Sequence, residues 1–319
     1  MQWQLPMKRM LYALAPLSVA AIYFFGWRAL AVLVVANASA FVTEWLFLRQ
    51  YREPVSSAAF VTGTLLGLSL PPSLPLWMVA VGAAFGVAFG KMVFGGFGKN
   101  VFNPALVGRA FLYVCFPRFM TPSQWPQAFT GGAGGLAAWM PDAVTSATPL
   151  AAARTSDAAE WVHLAIGNVS GSLGETSAIL IVIAGLYITW KKAANWRFIV
   201  SGLLATLVCQ TLVWQVGFAK AANPLTGVFG GSYLFALFFF ITEPVSGPKT
   251  NPARWMYGAL FGILGVVIRT FSGWPAGNMF AVILCNTFAP TMDYVVNAIK
   301  TARKERAKAA AASAKGASA

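Results

Sequence analysis

Reactive side chains are scarce in this sequence, and the most suggestive of them gather in one stretch. Asp142 to Leu150 reads DAVTSATPL: one carboxylate and three hydroxyls, from Thr145, Ser146 and Thr148, set among small residues and followed by Pro149. Composition by itself favours a solvated turn, with Pro149 and Leu150 starting the next element. The order of residues says more: an acid, then small residues, then a hydroxyl, Ala147 and Thr148. A threonine hydroxyl flanked by small side chains can enter the active site of a modifying enzyme and there take a phosphate ester.

Other chemistries find less support. His163 is the single histidine, so a Ser/His/Asp arrangement has one base to draw on and nothing that marks it. Cys115, Cys209 and Cys285 lie far apart in apolar runs, without a C-x-x-C pair. A zinc or iron–sulfur centre formed by this chain alone is therefore not expected. GGFGKN, Gly95 to Asn100, lacks the spacing of a phosphate loop and follows an apolar segment instead of a strand, so it reads as a tight turn. Arg109 is different. It sits about a turn into an apolar segment after NPALVG, where a guanidinium needs water, a partner or an anionic ligand, and functional and structural roles are evenly matched. Glu44, near the end of another apolar segment, is expected to reach the membrane interface.

The elements that carry these residues are built for lipid. The chain is 58% hydrophobic and 10% charged, which marks a multi-spanning membrane protein. A formal net charge of +14 would suggest nucleic acid in a soluble domain; here the basic residues lie between apolar runs and set orientation, so no nucleic-acid partner is expected. Apolar segments long enough to cross the hydrocarbon core fall at roughly 10–27, 29–48, 55–71, 76–95, 104–121, 176–190, 198–216, 230–247, 255–272 and 278–298. The expectation is an all-α integral membrane protein of about ten transmembrane helices. The N-terminal run imitates a signal peptide, but its length and the span that follows at once make it the first helix.

With both termini cytoplasmic, every lysine and arginine except Arg28, Arg109, Arg118, Arg154, Lys220 and Arg269 falls on the inner side. That orientation places the loop of about residues 122–172 outside, with Asp142, Asp157 and Glu160 in it and Glu175 just beyond. Residues 1–299 are read as the polytopic membrane domain, and 300–319 as a basic, disordered cytoplasmic tail at the anionic leaflet.

Prolines in LSLPPSLPLW break the third segment, and the eighth is read as broken too. EPVS occurs at Glu53 and Glu243, and NPA at Asn103 and Asn251; the unequal offsets do not establish a duplication. Five-plus-five inverted repeats remain permitted. Gly82, Gly86 and Gly90 form one small-residue stripe and Gly258 with Gly262 another, which close helix packing explains.

These residues carry a resemblance. DAVTSATPL is similar to the flavinylation motif of the membrane subunits RnfD and NqrB, of the Rnf and sodium-pumping NADH:quinone oxidoreductase complexes. FGKMVFGGFGKNVFNPALVGRAFL, GNVSGSLGETSA, TEPVSGP and IRTFSGWPAGNMFAVILCNTFAPTMD resemble that family's landmark segments, in the family's order. The chain lacks the long N-terminal extension of the NqrB type and looks more like RnfD. Glu243 stands in TEPVSGP where the family pattern expects Asp.

The resemblance implies an FMN joined through its phosphate to Thr148 by a dedicated flavin transferase acting outside the cytoplasm. Asp142, Thr145, Ser146 and Ala147 would form the recognition segment. Gly171, Gly174 and Glu175 are expected to pack against the flavin, with Glu175 also at the N-terminal dipole of the sixth helix. Arg109 is a candidate for an anionic partner such as the flavin phosphate. The resemblance further implies a second, non-covalent flavin such as riboflavin and an architecture like that of urea transporters. It also implies membrane and peripheral partner subunits in a bacterial or archaeal inner membrane. The protein would then be a flavin-carrying subunit of an ion-translocating oxidoreductase. Two alternatives remain open: a small-solute transporter or channel sharing the fold without flavin, and a membrane scaffold for redox partners.

Overall fold

The computed structural model describes residues 1–120, 126, 128–129, 134–141, 171–175, 177–218, 223–230, 232–272 and 277–316. Among them helices dominate and no strand ladder forms. In chain order they are α1 (Leu5–Phe25), α2 (Trp27–Arg49), α3 (Ala58–Ser69), α4 (Leu76–Val87), α5 (Pro104–Cys115), α6 (Pro117–Met120), α7 (Ala178–Trp190), α8 (Trp196–Gln215), α9 (Pro224–Phe229), α10 (Tyr233–Phe235), α11 (Asn251–Phe271) and α12 (Asn278–Gly316). Each apolar segment of the sequence overlaps at least one of these helices. By length and hydropathy, the stretches that could cross a membrane unaided are Trp27–Arg49, Trp196–Gln215 and Asn278–Lys308; the others are shorter, broken or less apolar.

Local chemistry sets the boundaries. Asn103 and Asn223 each precede a proline at the first helical position, and their side chains accept from Ala105 N (3.0 Å) and Leu225 N (3.0 Å). Proline lacks the N–H that a first turn would leave unpaired anyway, so Asn-Pro is a start signal. At the start of α11, Pro252 again stands in the first turn, but Asn251 is already helical and Thr250 at the cap position makes no side-chain cap bond. At the other end, Pro71, Pro72 and Pro75 stop α3 and leave carbonyls that helix geometry cannot satisfy. Arg28 supplies the donors, reaching Pro72 O at 2.7 Å, Leu74 O at 3.0 Å and Ser73 O at 3.4 Å. Arg269 does the same for the end of α9, donating to Gly227 O (2.6 Å) and Gly230 O (3.0 Å).

Two helices end in π-helical turns: α4 runs into Ala88–Met92, and α10 into Ala236–Phe240. The glycine stripes let backbones touch. A methyl on Gly90 would stand 2.8 Å from Pro104 Cα, and one on Gly262 would stand 2.7 Å from Gly202 O. These contacts join α4 to α5 and α8 to α11. Gly95, Gly96 and Gly98 all have positive φ, which closes the tight turn between α4 and α5.

The last helix, α12, runs from Asn278 through the basic tail to Gly316. Ala, Lys, Arg and Glu are strong helix formers, and an already nucleated helix propagates through them readily.

Candidate functional site

The marked segment itself, Asp142, Thr145, Ser146, Ala147 and Thr148, lies outside the described residues. Its flanks are described, and the structure joins them. Arg109 Nη1 donates to Glu175 Oε1 at 2.9 Å, with the two side chains 1% and 4% exposed. Arg109 stands on the second turn of α5, whose start is fixed by the Asn103 cap and Pro104. Glu175 is positioned by the broken end of α3, because the Leu173 and Gly174 amides donate to Leu70 O (3.1 Å) and Leu68 O (2.7 Å). The chain returning from the loop thus pairs with carbonyls that the proline break leaves available.

Gly174 allows this approach, since a Cβ there would meet Leu68 Cβ at 2.7 Å. It packs on α3, and Gly171 stands three residues before it, half-buried. Glu175 lies ahead of α7, whose N-terminus is capped by Ser177 Oγ accepting from Leu180 N (3.4 Å). The Glu175 carboxylate accordingly serves Arg109, where the sequence had pointed to the helix dipole.

The ion pair changes what Arg109 can offer. Glu175 answers its charge, yet among the described residues Arg109 Nε is buried without a hydrogen-bond partner, and so is Ser172 Oγ three residues before Glu175. Buried donors left unmatched are costly. Phosphate oxygens, or the carbonyl and nitrogen acceptors of a flavin ring, have the chemistry to match them. The chemistry of Arg109 and Ser172 therefore fits a flavin nucleotide.

A second polar centre lies where α2 meets α4. Lys91, on the π-turn after α4, points its Nζ to Glu44 Oε2 at 2.6 Å, and both side chains are 2% exposed. Glu44 Oε1 also accepts from Ser56 N (3.0 Å) and Ser56 Oγ (2.7 Å), while Lys91 donates to the same hydroxyl at 2.7 Å. Nearby, Glu243 accepts from Ser246 Oγ (2.5 Å) and, at 3.5 Å, from Asn100 Nδ2. Glu243, Asn103 and Met10 help line an internal cavity of about 30 Å³, into which about one water would fit.

Sequence reasoning missed this centre. Glu44 does not reach the interface: its carboxylate finds three donors inside the protein and needs no water. Lys91 is likewise buried, although it read as one more charge setting topology. The available signal was the opposite sign of two charges in neighbouring apolar segments, which inside a membrane are expected to pair.

Comparison with known proteins agrees over the same length. A family model described as the NQR2, RnfD, RnfE family matches residues 2–301. The chain is 36% identical over 316 residues to a subunit of the ion-translocating oxidoreductase complex of Klebsiella pneumoniae, covering 89% of this chain and 90% of that relative. It is 39% identical over 267 residues to a subunit of the Na(+)-translocating NADH-quinone reductase of Ectopseudomonas mendocina, covering 79% of this chain and 63% of that protein's length. The corresponding reductase subunit of Pseudoalteromonas atlantica is 39% identical over 261 residues and is covered to 62%. The match to the family model spans nearly every residue, the Klebsiella relative is covered almost end to end, and this chain belongs to the NQR2/RnfD/RnfE family.

Proposed function

We propose that this protein is the flavin-carrying membrane subunit of an Rnf-type ion-translocating electron transport complex, with FMN bound through its phosphate to Thr148. The observation that carries the reading is DAVTSATPL, in a chain of this family, flanked by Arg109 before it and Ser172 after it, whose Nε and Oγ are buried donors without partners among the described residues. FMN would supply the redox chemistry, and this chain would supply attachment and position. Asp142, Thr145, Ser146 and Ala147 form the segment that a flavin transferase recognises. Ser172 and Arg109 donate to the bound nucleotide, and Glu175 holds Arg109 in place. A second, non-covalent flavin such as riboflavin completes the cofactor set.

The same reading has the chain crossing the inner membrane about ten times, in a urea-transporter-like arrangement of two five-helix halves. Both termini are cytoplasmic, with Thr148 on the outer face. The basic residues Lys8, Arg9, Arg49, Arg52, Lys191, Lys192, Lys249 and Arg254, at or near helix ends, support that orientation. Other membrane and peripheral subunits complete the complex, as the names of the relatives suggest.

The test is in-gel ultraviolet fluorescence of the denatured protein, made in a host that has the transferase. Wild type is expected to glow and Thr148→Ala to be dark, with intact mass differing by one FMN. A bare polypeptide mass for matured wild type, or an added mass at another residue, overturns the proposal.

A further inference from the structure

Between α1 and α7 the lipid-facing surface is cut by an apolar slot of about 210 Å³. Tyr12, Ala13 and Pro16 form one wall, and Leu180, Ala184 and Tyr187 much of the other. The α7 positions recur at helical spacing and so share one face. Small side chains make the gap: Ala13 and Ala184 are both buried, at 2% and 5% exposure, while Tyr12 on the rim is 67% exposed. A volume of about 210 Å³ is far less than a transmembrane helix about 10 Å across would fill, and suits part of a single hydrocarbon chain.

One end of the slot opens onto positive charge. Lys8 and Arg9 lie one turn before Tyr12 and Ala13, and Lys191 lies one turn after Tyr187. Arg9 Nη1 donates to the Lys191 carbonyl, which ties the two helix ends together beneath the opening. Lys8 stands over the Trp3 ring at 5.1 Å and Lys191 over the Trp190 ring at 4.2 Å. Tryptophans of this kind mark the headgroup level of a bilayer. None of the three cations has a carboxylate partner among the described residues. Helical side chains lean toward the N-terminus of their helix, so Tyr12 leans toward the same level and can offer its hydroxyl there.

We propose that this slot is a binding site for one anionic phospholipid, with an acyl chain between α1 and α7 and the phosphate on Lys8, Arg9 and Lys191. The occupant follows from the two halves of the site taken together. Apolar walls without the cations would hold any lipid, and cations without the walls would hold any phosphate. Uncompensated positive charge at the bilayer surface favours the headgroup that carries net negative charge. The bound lipid would fasten the N-terminal helix to the first described helix that follows Thr148 in sequence. This inference does not depend on the flavin.

The experiment is native mass spectrometry of the full chain in mild detergent, titrated with phosphatidylglycerol, with phosphatidylcholine of the same acyl chains, and with inorganic phosphate. One phosphatidylglycerol per chain should survive conditions that strip phosphatidylcholine, and inorganic phosphate should not displace it. The triple variant Lys8→Gln, Arg9→Gln, Lys191→Gln should lower phosphatidylglycerol affinity by roughly tenfold or more and leave phosphatidylcholine unchanged. Ala184→Phe should fill the slot and abolish retention. Should that variant fold poorly, Ile183→Trp blocks the slot from a residue that also lines it and is 59% exposed. Equal retention of both lipids, displacement by phosphate, or unchanged affinity in a well-folded slot-filling variant would overturn the proposal.

Discussion

Arg109 and Glu175 are 66 positions apart in the chain and 2.9 Å apart in space, buried together, with Thr148 between them in sequence. The pair therefore ties the second turn of α5 to the segment just ahead of α7. Removing one member of a buried pair strands the other charge, at a cost of about 3–5 kcal/mol, whereas replacing both with apolar residues of similar volume is often close to neutral. Arg109→Met and Glu175→Leu should each lower the melting temperature of the detergent-solubilised protein, and the double variant should recover most of the loss. Additive losses would show that the two side chains act independently.

The pair between Lys91 and Glu44 predicts an ordered series of a different kind. Lys91→Met leaves the Glu44 carboxylate with the two Ser56 donors but no cation. Glu44→Gln removes the negative charge, but its single amide oxygen can still accept from Lys91 or from Ser56. Glu44→Leu removes that oxygen too and leaves a buried ammonium. Thermal stability should fall in the order wild type, Glu44→Gln, then Glu44→Leu, with Lys91→Met as damaging as Glu44→Leu because each of these strands one buried charge. If Glu44→Leu is as stable as Glu44→Gln, the charge is solvated in solution.

Arg28 and the break after α3 give a test of side-chain geometry. One guanidinium spans Pro72 O, Ser73 O and Leu74 O, which a single ammonium cannot do from a fixed stem. Arg28→Lys should therefore lose stability despite keeping its charge, by about 1–3 kcal/mol for each carbonyl left buried and unpaired. Hydrogen exchange should report the loss first at the Leu173 and Gly174 amides, which pair with the same end of α3. Unchanged protection at those two amides would separate the Arg28 contacts from the positioning of Glu175.

These relationships explain how much of the molecule could be read beforehand. Asn103-Pro104, Asn223-Pro224 and the prolines after Ser69 act through their own backbone, so sequence reports them directly. The glycine stripes were legible because close packing leaves a fixed spacing. Arg109 stood out as a charge in an apolar segment, yet its partner did not: Glu175 is brought to it by amides that pair with the broken end of α3, a contact no local pattern encodes. Glu44 and Lys91 are separated by 47 positions and meet only because α2 packs on α4.

Asp293 shows the same long-range logic at the start of α11. Its Oδ2 accepts from Lys249 N at 2.7 Å, and its Oδ1 accepts from Thr250 N at 2.9 Å and Thr250 Oγ1 at 2.7 Å. A side chain on α12 thus caps the N-terminus of α11 from outside, where Thr250 makes no side-chain cap of its own. Negative charge at that end also meets the positive pole of the helix. Asp293→Ala should cost about 1–2 kcal/mol, as for loss of a strong N-cap. Asp293→Asn loses the charge and keeps one acceptor oxygen, so it should recover part of that stability. Amide exchange at residues 249 and 250 should rise in Asp293→Ala and stay closer to wild type in Asp293→Asn. Equal exchange in the two variants would mean that charge, and not the geometry of the accepting oxygens, holds α11 to α12.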